Sequence, residues 1–210
     1  MAKEGFKFLL PTLLISVIAF YLFTRTDYRL VLYFSVVIFF LALFFVLFFR
    51  DPERKIPSGE DLILSPADGM VKKIEKSTDG SSQLISIFMS LFSVHINRVP
   101  VDGIVKEISY KPGKFIPAFR DKASEDNEKN VIVVQNEQGN VILTQIAGSL
   151  SRRIVCNLNP GQHVNKGERF GLIHFGSLVE LVLPTSVELK VREGRRVKAG
   201  ETVLGVFKSE

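Results

Sequence analysis

Read for hydrophobic and polar positions alone, the chain divides at Arg50. Residues 8–23 and 30–49 contain no charged residue, and apolar side chains fill almost every position rather than one helical face. A bilayer core takes roughly 20 apolar residues in helical form, with about 17 as the lower limit. Residues 30–49 meet this requirement and residues 8–23 come close, with Pro11 expected in the first helical turn, where proline is tolerated. The six residues between them, Thr24 to Arg29, are few enough to force an antiparallel helical pair. Beyond Arg50 the pattern changes to short β-branched runs at residues 84–88, 131–134, 141–146 and 178–183, separated by turn pairs such as Asp79-Gly80, Gln138-Gly139 and Pro160-Gly161. Such spacing predicts a mainly β domain, a barrel or sandwich of short antiparallel strands. The expected organisation is a membrane-anchoring hairpin over residues 1–49, a proline-containing linker over 50–60 and a β-rich domain over 61–210.

Two internal repeats refine this picture. Pro66-Ala-Asp68-Gly69-Met-Val71-Lys-Lys-Ile74 recurs as Pro100-Val-Asp102-Gly103-Ile-Val105-Lys-Glu-Ile108. Gly161-Gln-His163-Val164-Asn-Lys-Gly167-Glu recurs as Gly194-Arg-Arg-Val197-Lys-Ala-Gly200-Glu. In the second pair, two glycines bracket a tight turn and a valine packs inward. That pattern resembles the hammerhead hairpins of biotinyl and lipoyl carrier domains. It opens a rival reading, a membrane-tethered carrier or adaptor, with Asp121-Lys122-Ala123 as a lipoyl-lysine tripeptide. Against it, Lys122 lies in a charged stretch and not at the tip of a hairpin between apolar strands.

The 27 basic and 22 acidic residues leave a net charge of +5, but beyond residue 49 the balance is 23 against 20. So mild an excess, without a basic run, argues against nucleic acid and suits an anionic membrane surface. Lys3 and Lys7 precede the hairpin and Arg50, Arg54 and Lys55 follow it, against Arg25 and Arg29 in its turn. The positive-inside rule then puts both ends, and the β domain, on the cytoplasmic face of the cell membrane. Cys156 is the single cysteine, so no disulfide framework exists within the chain. With His95, His163 and His174 scattered, no zinc-type ligand spacing occurs and no metal is expected.

Chemistry concentrates in Gly171-Leu-Ile-His174-Phe175-Gly176-Ser177-Leu-Val-Glu-Leu-Val-Leu-Pro184. A Gly-Ser pair is ordinarily a turn, yet this one follows a hammerhead and feeds directly into an apolar strand. His163 reads as a surface turn residue and His174 as a structural one. Taken with Ser65-Pro-Ala-Asp68-Gly69, Ser93-Val-His95-Ile-Asn-Arg98-Val-Pro100, Tyr110-Lys-Pro-Gly113-Lys-Phe115, residues 126–130, residues 146–154 and Lys166-Gly-Glu-Arg-Phe-Gly171, the order of motifs resembles the short-form phosphatidylserine decarboxylase proenzymes.

The resemblance implies that the Ser177 hydroxyl attacks the Gly176 carbonyl, that elimination splits the chain into residues 1–176 and 177–210, and that Ser177 becomes a pyruvoyl group. That group would serve as the only cofactor, condensing with the serine amine of a membrane phospholipid and accepting electrons as CO₂ departs. The fragments are expected to stay associated, and a homo-oligomer is compatible with this reading. Asp68 matches the family aspartate that supports self-cleavage. His95 matches the first histidine of the family's His-x-x-His-x-Pro, as base of cleavage, proton donor in decarboxylation, or both. Arg98 stands where longer members have the second histidine, and is a candidate to bind the substrate phosphate or carboxylate.

Overall fold

The computed structural model describes residues 1–114, 116, 126–148, 153–174 and 176–208. They form two compact units, Met1–Pro52 and Glu53–Glu210.

In the first unit a short 3₁₀ turn leads into α1 (Phe6–Thr26), and α2 (Arg29–Phe48) returns antiparallel to it. At 1.5 Å rise per residue each helix is about 30 Å long, the thickness of a bilayer core, so both are long and apolar enough to cross a membrane. The reversal is tighter than the charged stretch suggests. α1 runs on through Thr26, and Asp27 ends it in a left-handed conformation (φ 50°) with its N–H on the Phe23 carbonyl. Pro11 lies in the second turn and not the first, because the helix begins at Phe6, ahead of the uncharged run. The helices are pinned to each other by a reciprocal pair of bonds: Ser16 Oγ donates to the Ser35 carbonyl (3.0 Å) and Ser35 Oγ to that of Ser16 (2.9 Å). In an apolar surrounding such hydroxyls must find protein acceptors, which favours this one helix register.

The second unit is built from antiparallel strands. β1 (Leu62–Leu64), β14 (Val203–Phe207) and β12 (Val187–Leu189) make one three-stranded sheet, in the order β1-β14-β12. β4 (Ile96–Arg98), β10 (Arg169–Ile173) and β8 (Ile154–Cys156) make another, in the order β4-β10-β8. The largest sheet comprises β13 (Arg196–Val197), β2 (Gly69–Lys76), β3 (Ser82–Met89), β11 (Ser177–Pro184), β7 (Gly139–Ile146), β6 (Lys129–Asn136), β5 (Gly103–Lys111) and β9 (His163–Val164), in that order. Its strands alternate as half-buried strands should. On β11, Val179, Leu181 and Leu183 are fully buried in the common core, while Glu180 on the opposite face accepts a bond from Ser86 Oγ.

The repeats seen in the sequence pair crosswise. Gly69 of the first Pro-x-Asp-Gly segment lies opposite Val197 of the second hammerhead, and Gly103 of the second segment lies opposite Val164 of the first hammerhead. A β-bulge follows each glycine at the same offset, between Val71 and Lys73 and between Val105 and Glu107. Glycine is required at both starts because a Cβ would fall 2.2 Å from the Phe88 carbonyl oxygen at Gly69 and 2.4 Å from that of Gln135 at Gly103.

Candidate active site

Ser177 opens β11, an interior strand paired with β3 over its whole length and with β7 on its other side. It continues the inward row of Val179, Leu181 and Leu183, so its side chain points to the core side and is fully buried. Its hydroxyl donates to the Met89 sulfur at 3.5 Å, directly across the ladder. Gly176 immediately before it sits at φ +61°, the left-handed region, and a Cβ there would meet nothing within 4 Å. The peptide bond between them therefore joins a left-handed turn to a rigid strand, and the turn side has open space.

Around Ser177 the inward face becomes polar. Asn130 on β6 and Gln145 on β7 are paired with each other and point inward, at positions where the next inward pair is Ile132 and Leu143. Asn97 on β4 approaches from the other sheet and is wholly buried. Asn130 Nδ2 donates to Gln145 Oε1 (3.2 Å), Gln145 Nε2 to Asn97 Oδ1 (2.9 Å), and Asn97 Nδ2 to the Met89 sulfur (3.8 Å). The sulfur thus receives both Asn97 and Ser177. These amides were missed in reading the sequence. Their signal was available in the alternation, which puts Asn130 and Gln145 in phase with core residues, but only the tertiary fold brings Asn97 to them.

His95 immediately precedes β4 and is 2% exposed. His174, buried just after β10, donates its backbone N–H to the Arg153 carbonyl, and His163 lies exposed on β9. Arg98 is buried, and its Nη1 donates to the Gly167 carbonyl (2.8 Å) of the first hammerhead turn.

Asp68 is engaged elsewhere. Both its oxygens accept from Arg54 Nη2 at 2.9 Å, and Oδ1 also accepts the Ala199 N–H at 2.7 Å. Asp102, its repeat counterpart, accepts the Lys166 N–H at the same 2.7 Å and pairs with Lys166 Nζ at 3.0 Å. Each aspartate therefore caps the hammerhead turn it faces and holds a cation. β3 lies between β2 and β11, so two strand spacings, about 10 Å, separate the Asp68 turn from Ser177. The structure does not bring Asp68 into hydrogen bonding with His95 or Ser177. Glu201 completes the Arg54 cluster at 3.6 Å. Burial raises its pKa, but the Lys55 N–H, Arg54 and Lys198 together outweigh burial and hold it below the usual glutamate value.

Among the described residues no group of three or more His, Cys, Asp or Glu is arranged to hold a metal ion. An open depression is lined by Asp102, Gly103, Gln135, Asn136 and His163, at the second repeat and not at Ser177. The Asp121-Lys122-Ala123 tripeptide, Phe115, Phe175 and residues 149–152 lie outside the described residues.

Fold and site together define a β domain that follows an apolar helical hairpin along the chain, with a buried serine heading an interior strand. Residues 41–205 match the family model for phosphatidylserine decarboxylase. The chain is 44% identical over 218 residues to a phosphatidylserine decarboxylase proenzyme of Wolbachia sp. subsp. Brugia malayi, covering 99% of this chain and 91% of that protein. It is 47% identical over 167 residues to that of Chlorobaculum tepidum (78% and 77% covered) and 43% identical over 214 residues to that of Chlorobium limicola (99% and 100%). The chain belongs to the phosphatidylserine decarboxylase family.

Proposed function

We propose that the chain cuts itself between Gly176 and Ser177, and that the product decarboxylates phosphatidylserine to phosphatidylethanolamine at the cytoplasmic face of the cell membrane. The observation that carries this reading is the placement of Ser177. It is a fully buried hydroxyl at the head of an interior strand, directly behind a glycine at φ +61° whose surroundings are open.

In self-cleavage the Ser177 hydroxyl attacks the Gly176 carbonyl carbon. The amide C–N bond breaks as its nitrogen takes a proton, leaving an ester between Gly176 and the Ser177 oxygen. Removal of the Ser177 Hα breaks the C–O bond, releases the Gly176 carboxylate and leaves an N-terminal dehydroalanine. Water addition and loss of ammonia then give the pyruvoyl group. His95, buried immediately before β4, is the base proposed for these proton transfers. Asp68 acts from a distance, by fixing the turn that starts β2 beside β3.

Ser177 fits the part of pyruvoyl precursor because a cut before it frees a chain end at the head of a strand that stays paired. The pyruvoyl group, once formed, supplies a carbonyl that takes up the electrons left as CO₂ departs. The fragment 177–210 would remain bound, since it carries β11 through β14 and three fully buried core residues on β11 alone. Each contributes about 1.5–3 kcal/mol by burial. Phe92, 81% exposed on the connection between Met89 and His95, offers an apolar contact for lipid beside the site. A tethered domain also meets its lipid substrate at high effective concentration.

The test is a comparison of the full chain with its Ser177→Ala variant. The wild type is expected to yield fragments 1–176 and 177–210, the latter reacting with a carbonyl reagent, and to release CO₂ from phosphatidylserine vesicles. Ser177→Ala is expected to remain one chain without either activity. A wild-type chain that stays whole, or a Ser177→Ala chain that splits at the same bond, overturns the proposal.

A further inference from the structure

The buried amides around Ser177 call for an explanation of their own. A polar group placed in a core costs free energy unless it is well bonded, and an apolar layer at this level would pack as the Ile132 and Leu143 layer does next to it. Asn130, Gln145 and Asn97 are 4%, 0% and 0% exposed, and their bonds run in one direction. Asn130 donates to the Gln145 oxygen and Gln145 to the Asn97 oxygen, which fixes the Asn97 amide with its NH₂ turned toward Met89. There the good acceptors run out. Asn97 Nδ2 has the Met89 sulfur at 3.8 Å and the Pro66 carbonyl at 3.5 Å, both long contacts. Three amides are thus spent on aiming one N–H at the sulfur that also receives the Ser177 hydroxyl.

We propose that Asn97, oriented by Gln145 and Asn130, is a positioning residue for self-cleavage at Gly176-Ser177, acting through the Met89 thioether. This inference rests on the cleavage reading above. A thioether is a weak acceptor and takes no proton at neutral pH, so it can hold the Ser177 hydroxyl in place without competing strongly when that hydroxyl turns to the Gly176 carbonyl. The Asn97 N–H anchors the sulfur and draws on its lone pairs. Methionine is otherwise a flexible, poorly specifying side chain. The amide chain supplies the rigidity that a nucleophile needs in order to sit in one attack geometry.

The experiment follows the rate at which pulse-labelled full-length precursor, made in the presence of membranes, converts to fragments 1–176 and 177–210. Asn97→Ala is expected to slow conversion on the order of 10–100-fold, the scale of a nucleophile mispositioned by about 1 Å. Asn97→Asp is the discriminating variant. As a carboxylate it presents only acceptors to the sulfur and is expected to be as slow as Asn97→Ala at pH 8. Burial raises such a carboxyl's pKa, so on acidification it regains a donating O–H, and its rate relative to wild type is expected to rise at least several-fold by pH 6. A merely structural loss would show no such recovery. A second measurement covers variants that fold poorly: in a Met89→Leu background, Asn97→Ala is expected to slow conversion by less than a third of the factor it costs with Met89 present. Wild-type conversion rates in Asn97→Ala, a pH-independent ratio for Asn97→Asp, or an undiminished effect in the Met89→Leu background would each overturn the proposal. A wild-type chain that never splits at residue 176 would instead overturn the cleavage reading itself.

Discussion

Replacing Asp68 by Asn, and separately Asp102 by Asn, sets two repeat-related turn caps against each other. Each aspartate accepts a hammerhead N–H at 2.7 Å through Oδ1, an acceptor that Asn retains. What changes is the charge. Asp68 and Arg54 have side chains only 16% and 6% exposed, whereas Asp102 is 50% exposed beside Lys166. Breaking a buried pair by removing one partner costs about 3–5 kcal/mol because the other charge stays buried. Glu201 remains 3.6 Å from Arg54 as a second partner, so we expect Asp68→Asn to cost about 2–3 kcal/mol and Asp102→Asn less than about 1 kcal/mol. The assay is urea unfolding of the β unit in detergent-solubilised full-length chain carrying Ser177→Ala, which removes processing as a variable, read by protease resistance. Equal losses in the two variants, or a loss below about 0.5 kcal/mol for Asp68→Asn, would refute the assignment of Asp68 to a buried ion pair. The same cluster has a pH signature. Glu201 is held below the usual carboxylate value in the folded state, so its contribution is full above the unfolded pKa and is lost as pH falls through the folded one.

Three further outcomes are expected. Gly176→Ala, at φ +61° with open space for a Cβ, should cost about 1–2 kcal/mol of backbone strain and slow self-cleavage, which fragment formation on gels would report; unchanged stability would mean that the turn is not left-handed. Phe92→Ser, an exposed position, should leave fragment formation unchanged while lowering CO₂ release from phosphatidylserine vesicles more than from short-chain, soluble phosphatidylserine. Asp79, held by the Ser77 hydroxyl and the Ser81 N–H and hydroxyl, should titrate near its lowered value of about 2 by NMR, and Ser77→Ala should move that midpoint back toward the ordinary aspartate value.

Much of the architecture was legible because it is written in local periodicity. The runs at 84–88, 131–134, 141–146 and 178–183 became β3, β6, β7 and β11, since alternation encodes which face of a strand is buried. Tandem glycine turns and the Pro-x-Asp-Gly repeat were equally plain, as both depend on backbone angles or close approaches that few residues permit. Helix ends were less so: α1 begins before its uncharged run and continues past it to Thr26, because charged residues can sit at helix ends with their heads in water.

Gly176 and Ser177 stood out in the sequence only as a glycine turn ahead of an apolar strand, with the family resemblance supplying the chemistry. Tertiary structure alone decided what surrounds them. Non-local pairing put Met89 opposite Ser177, brought Asn97 from another sheet onto the same sulfur, and gave Asp68 to Arg54 and Ala199. These contacts join residues far apart in the chain, and nothing in local pattern determines which strands become neighbours. Periodicity specifies a face for each side chain; what that face meets is set by the closing of three sheets on one core.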